Sequence, residues 1–226
     1  MNNFLQIIIG FLIADLVAGI FHWFEDSYLD YCIDIPIISD IAKDNEMHHY
    51  FPRTIVSYTY LENMYVTFPS TIILLLILYS LNNPLFKYGY LIGSFAFFSI
   101  TSNLIHRFAH MRECENYKVI TFLQNIGILS SHKNHSIHHL ESKSNYCVIS
   151  DYNNYILDTI QFWRGLEYII FIVTGIQPNK KLGYNEYREI HNHMHENAKL
   201  ECPIKPTKED ITELKGILKR YKNCDC

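Results

Sequence analysis

Three long apolar stretches divide this chain, and each approaches the roughly 20 residues an α-helix needs to cross a bilayer. The first runs from Phe4 to Trp23, FLQIIIGFLIADLVAGIFHW, broken by Asp15 and closed by His22. The second is Tyr65 to Leu81, YVTFPSTIILLLILYSL, and the third runs from about Tyr88 to Ile105, YGYLIGSFAFFSITSNLI, ending at His106. The short turn Asn82 to Lys87, NNPLFK, makes a helical hairpin of the second and third. A weaker stretch, Tyr155 to Gly175, carries Asp158, Arg164 and Glu167. That pattern suits a helix lying in the membrane interface, with a fourth span as the alternative. The first stretch lacks the basic start and small-residue cleavage site of a signal peptide.

The pattern predicts an all-α integral membrane protein with three transmembrane helices, or four, and a histidine-rich cap on one side. Residues 1–180 form the membrane domain, and 181–226 a polar tail. Within that tail, TKEDITELKGILKRYK after Pro206 begins with Thr207 and Asp210 in a capping-box-like spacing, which predicts a short amphipathic helix. With three spans, Glu25–Met64 and everything after residue 106 face the same side. Arg107, Arg112, Lys118, Lys133 and Lys143 fall on that side, against Lys87 alone on the other. The positive-inside tendency makes the richer side cytosolic.

At 226 residues the chain suits a single domain, and its 49% hydrophobic content is gathered in the blocks above. A net charge of −4 gives no broad basic surface, so nucleic acid is not an expected partner. None of the six cysteines forms a CxxC pair, which argues against zinc thiolates.

The chemistry lies in the histidines, and four short clusters hold nine of the twelve. They are His22; His48 and His49; His106 and His110; and His132, His135, His138 and His139. His106 and His110 are spaced i, i+4, and His135, His138 and His139 form HxxHH; on helices both spacings share a face. Imidazole suits Zn, Cu, Fe and Ni. A zinc site takes three or four ligands, so eight histidines fit two metals better. Two irons at a membrane surface point to O2 activation and attack on a lipid C–H bond. Zinc hydrolysis would more naturally show a HExxH helix, and none is present. Asp15, Asp26 and Asn103 are candidates to orient ligand imidazoles through the second ring nitrogen. For Asp15 the alternative is a hydroxyl partner, and for Asp26 solvation. His132 is not distinguished from an exposed loop residue, and His191, His193 and His195 fit a solvated tail helix.

The chain resembles the plasmanylethanolamine desaturase family, with its bacterial CarF members and the plant plastid desaturase of phosphatidylglycerol palmitate. The matching segments are LIADLVAGIFHWFED, HHYFP, NLIHRFAH, NHSIHH followed by YC, and NYILDTIQFWRGLE followed by TGIQP. They run in order over roughly residues 10–180, and the last contains no histidine. The resemblance implies a non-haem diiron desaturase that forms the vinyl-ether double bond of plasmalogens from an alkyl-ether phospholipid. It implies O2 as co-substrate, a cytochrome b5-type electron donor and, in a eukaryote, the endoplasmic reticulum. By position the implied iron ligands are His22, His48, His49, His106, His110, His135, His138 and His139. Departures from the family pattern fall at Tyr58, Asn134 and Met47, and His132 is a reserve ligand. Two alternatives stay open: desaturation of an acyl chain of a glycerophospholipid, and a metal-binding homologue without the reaction.

Overall fold

The computed structural model describes residues 1–29, 33, 35–36, 38–141, 143–179 and 212. Among these the secondary structure is helical, with no strand. The predicted tail, including His191, His193, His195 and the Thr207–Asp210 signal, lies outside the described residues.

Helix α1 (Asn3–Tyr28) opens with the Asn2 side chain accepting the Leu5 N–H and continues a full turn past the apolar stretch. Its 26 residues reach about 39 Å. The hairpin partners are α5 (Thr67–Ser80) and α6 (Gly89–Ala109), with short helices α3 (Thr54–Ser57) and α4 (Tyr60–Met64) leading into the first. Asn82 turns the hairpin at φ 50°, and the Asn83 side chain accepts the Leu85 N–H ahead of a single turn at Pro84–Lys87. Asparagine tolerates that left-handed region better than most residues.

By length and composition, α1 and the α4–α5 run (Tyr60–Ser80) are apolar enough to cross a membrane. The third expected span, α6, has 21 residues but carries Ser94, Ser99, Thr101, Ser102, Asn103 and His106. Those groups dilute its apolar content, and several face protein. Ser94 donates to the Ile7 carbonyl of α1 at 2.8 Å, while Thr67 of α5 donates to the Ile100 carbonyl at 2.6 Å. A Cβ on Gly10 would run into the Leu91 carbonyl, so α1 and α6 meet backbone to backbone there. Small residues at a helix crossing permit such approach. Phe4, Ile73, Leu76 and Leu81 stay exposed, as side chains facing lipid would.

The segment between the first two apolar stretches contains α2 (Ile38–Tyr50), and His48 and His49 sit in its last turn. Beyond α6 come α7 (Lys118–Asn125) and α8 (His132–Glu141). The weaker apolar stretch divides into α9 (Asp151–Thr159) and α10 (Phe162–Thr174), broken where Gln161 adopts φ 56°. At 13 residues α10 reaches only about 20 Å, short of a bilayer core. Its Ile169, Ile172 and Val173 remain exposed.

Between α8 and α9 the chain runs without helix through Tyr146–Ser150, and all five residues are buried. The Asn154 side chain pairs with both the N–H and the carbonyl of Cys147 at 2.8 Å, and Ser130 N donates to the Ile149 carbonyl at 2.9 Å. This segment packs on α1, with Val148 and Ile149 against Ala14, Phe95 and Ile105, and Tyr146 and Cys147 against Trp23 and Trp163.

Candidate metal centre

Helix geometry sorts the histidines into two groups. Successive residues on an α-helix are turned by about 100°, so neighbours point apart, whereas i and i+4 nearly superimpose. His48 and His49 therefore diverge at the end of α2, and His138 and His139 diverge on α8. His106 pairs with His110, His135 with His139, and His22 with Asp26, each at i, i+4. The result is one group of His48, His106, His110, His135 and His139, and a second of His22, Asp26, His49 and His138. Within each, the nitrogen or oxygen donors lie within 4.8 Å of one another.

The donor spacing fits metal ions. His106 Nε2 lies 2.7 Å from His135 Nε2, His110 Nε2 lies 3.1 Å from His106 Nε2, and His139 Nε2 lies 3.1 Å from His135 Nε2. Two ligands bonded at about 2.1 Å and at right angles are about 3 Å apart, so these spacings match those of donors around one cation. Hydrogen bonds alone do not account for three buried imidazoles meeting at one nitrogen. The Nε2 atoms of His22 and His48 and the Oδ2 atom of Asp26 are buried without a hydrogen-bond partner. A cation in each group would satisfy them: one beside His48, another beside His22 and Asp26.

Several second ring nitrogens are already occupied. His22 Nδ1–H donates to the Tyr146 carbonyl at 3.0 Å, and His138 Nδ1–H to the Ser144 carbonyl at 2.8 Å. His106 Nδ1–H faces the Asn103 side-chain oxygen at 3.3 Å. In each ring this leaves the Nε2 lone pair directed inward, as a metal ligand requires. Burial, and then the neighbouring imidazoles, push His48, His135 and His139 well below the usual imidazole range. These rings are neutral at physiological pH and free to coordinate.

The three polar residues expected to orient ligands take different places. Asn103 touches His106 as the spacing allows. Asp26 lies inside the second group: its Oδ1 is 2.9 Å from His49 Nε2 and its Oδ2 is 3.2 Å from His138 Nε2, with Asn45 Nδ2 donating to Oδ1 at 2.8 Å. Solvation is the wrong picture for this carboxylate, which is 2% exposed. Asp15 orients no imidazole. It accepts the Ile149 N–H at 2.9 Å, the Ser150 N–H at 3.2 Å, the Ser150 hydroxyl at 2.7 Å and the Asn153 amide at 3.2 Å. Seven residues before His22, it secures the segment whose Tyr146 carbonyl holds that ring.

His132 stays outside both groups, its Nδ1–H donating to the Ala109 carbonyl at 3.0 Å. Asn134 donates to Asp151 Oδ2 at 2.6 Å and ties α8 to the start of α9. The sequence reading missed the ligand-distance placement of Asp26, and the i, i+4 spacing of His22 and Asp26 was its available signal.

The protein is helical, has two helices long and apolar enough to cross a membrane, and carries two adjoining groups of imidazole donors with the spacing a metal ion needs. The chain belongs to the lipid desaturase domain family, whose pattern matches residues 11–181. It is 30% identical over 190 residues to a "Probable fatty acid desaturase" of Acanthamoeba polyphaga mimivirus, covering 80% of this chain and 88% of that one. It is 33% identical over 172 residues to "Fatty acid desaturase 4-like 1, chloroplastic" of Arabidopsis thaliana, covering 75% and 57%. Over 184 residues it is 28% identical to "Plasmanylethanolamine desaturase 1" of Mus musculus, covering 77% and 67%. No solved structure matches the chain. The family makes the protein an oxidoreductase of lipid metabolism.

Proposed function

We propose that this protein is an O2-dependent desaturase of a membrane phospholipid, holding two iron ions with His22, His48, His49, His106, His110, His135, His138 and His139, joined by Asp26. The observation that carries the proposal is the division of nine donor groups into five imidazoles on one side and three imidazoles with a carboxylate on the other. Bound iron supplies the O2 activation that removes two hydrogens from adjacent chain carbons, chemistry no side chain provides.

The protein's own groups prepare the site. The carbonyls of Tyr146 and Ser144 and the side chain of Asn103 fix three rings with Nε2 inward. Asp26 gives one group a formal negative charge that the other lacks, so the two differ in their hold on a cation. The packed apolar residues behind α1 and α6 keep water from the rear of the site.

We place the site on the cytosolic face, in eukaryotes that of the endoplasmic reticulum, with α6 as the third span. Arg107 lies in the last turn of α6, and Arg112, Lys118 and Lys133 follow it on that side, against Lys87 in the hairpin. A cytochrome b5-type donor then supplies electrons from the cytosol.

The first substrate is an alkyl-ether phospholipid, giving the vinyl-ether bond; the relatives named plasmanylethanolamine desaturase in mouse and Myxococcus xanthus support it. The second is an acyl chain of a glycerophospholipid, favoured by higher identity to relatives named fatty acid desaturase. Lipid extracts from plasmalogen-deficient cells expressing the chain decide between them. Acid-labile vinyl-ether lipid is expected with wild type and absent with His138→Ala. A new acyl double bond instead selects the second substrate, and an unchanged lipid profile from iron-loaded protein overturns both.

A further inference from the structure

Both tryptophans of the chain lie on one line of aromatic rings leading away from the histidine groups. Tyr146, fully buried, has its ring centroid 5.1 Å from that of His138 and 6.0 Å from that of His22. Trp163 follows at 5.0 Å from Tyr146, and Trp23 at 6.1 Å from Trp163 with the two indoles inclined by 29°. Tyr28, half-buried at the end of α1, lies 5.5 Å from Trp23. Each indole N–H ends on a carboxylate. Trp163 Nε1 donates to Asp158 Oδ1 at 2.9 Å, and Trp23 Nε1 donates to Glu167 Oε1 at 3.3 Å.

Core packing explains the contacts but not the acceptors. A buried indole needs one hydrogen-bond partner, and a backbone carbonyl would serve. A carboxylate differs because it can take the proton. Burial raises the Asp158 carboxyl above the ordinary carboxylate range, which makes proton uptake easier. Indole and phenol are also among the side chains that give up an electron readily to a strong oxidant, and here they stand in contact from His138 to the half-buried Tyr28.

We propose that this line is an electron relay that discharges the site when O2 has been activated with no lipid chain in place. The inference rests on the redox reading given under Proposed function. One electron leaves Trp163 for the site across Tyr146, and the Trp163 Nε1 proton moves to Asp158. Trp23 then passes an electron to Trp163, Asp158 returns its proton, and the Trp23 Nε1 proton moves to Glu167, which Arg164 holds at 2.8 Å. At the Tyr28 edge a thiol from solution gives up one electron and releases its proton to water. That electron restores Trp23 and Glu167 returns its proton. A second pass with a second thiol delivers a second electron, and the two thiyl radicals close to a disulfide. The two protons the thiols release to water balance the two taken up at the site as the activated oxygen is reduced. The histidines are thereby spared oxidation.

The test uses iron-loaded full-length protein given O2 and reductant without lipid, read by electron paramagnetic resonance and by peptide mass spectrometry. The expected result is an organic radical signal, with oxidised indole at Trp163 and Trp23. Trp163→Phe keeps the ring packing but removes the donor. It is expected to abolish the Trp23 product, move oxidation onto His135, His138 and His139, and shorten the protein's working life several-fold. Trp163→Tyr, which remains oxidisable, restores the signal and guards against a mere folding defect. Oxidation confined to the histidines in wild type, with ordinary O2 uptake, overturns the relay alone. Absence of O2 uptake by the iron-loaded protein overturns the redox reading and the relay together.

Discussion

Two donor groups arise from single-residue offsets on two helices, α2 and α8. His48 and His49 are neighbours in sequence and end in different groups, because a helix turns them apart by about 100°. Asp26 is the residue whose role the geometry changes most. Asp26→Ala removes the one carboxylate of the smaller group, and metal analysis should fall from about two irons per chain toward one, while His132→Ala leaves the count unchanged. Asn103→Ala frees the His106 ring without removing a donor, and metal affinity is expected to drop about 10- to 100-fold, measured by competition with a chelator. The sequence displayed the i, i+4 pairs directly. It did not show that adjacent pairs part company, because α2 was not legible as a helix: ISDIAKDNEMHHY has too few apolar positions to show a period.

At the scale of elements, the decisive piece is not a helix. The buried Tyr146–Ser150 segment holds His22 through a backbone carbonyl and is itself held by Asp15 and Asn154. Gly19 permits it to lie on α1, since a Cβ there would sit 2.6 Å from Cys147 Sγ and 3.2 Å from Cys147 Cα. Gly19→Ala therefore pushes the segment off α1, at a cost of about 1–3 kcal/mol seen as a lower Tm in detergent. Cys147→Ala recovers part of that loss by removing the sulfur. The three long apolar stretches were readable because lipid demands continuous hydrophobicity, and the NNPLFK turn because asparagine and proline announce it. The break at Gln161 was not, since no glycine or proline marks it: the exposed glutamine takes φ 56° with its backbone N–H and its side-chain amide both donating to the Asp158 carbonyl.

For the whole molecule, the question is which end of α6 faces which compartment. Cys114 is exposed just beyond the histidine end, whereas Leu85 lies in the hairpin at the other. Single-cysteine proteins retaining Cys114 alone, or Leu85→Cys alone, should react with a membrane-impermeant thiol reagent from opposite sides of sealed vesicles. Labelling of both from one side removes α6 as a span. The sequence by itself determined the helical class, the apolar segments and the residue types able to bind metal, because composition and local spacing act over a few turns of chain. Only the tertiary structure decided which donors come together in one group, that Asp26 stands among them and that Asp15 does not. Those outcomes depend on where α1, α2, α6 and α8 meet. Helix phase fixes the direction of each side chain, but packing alone fixes what it faces.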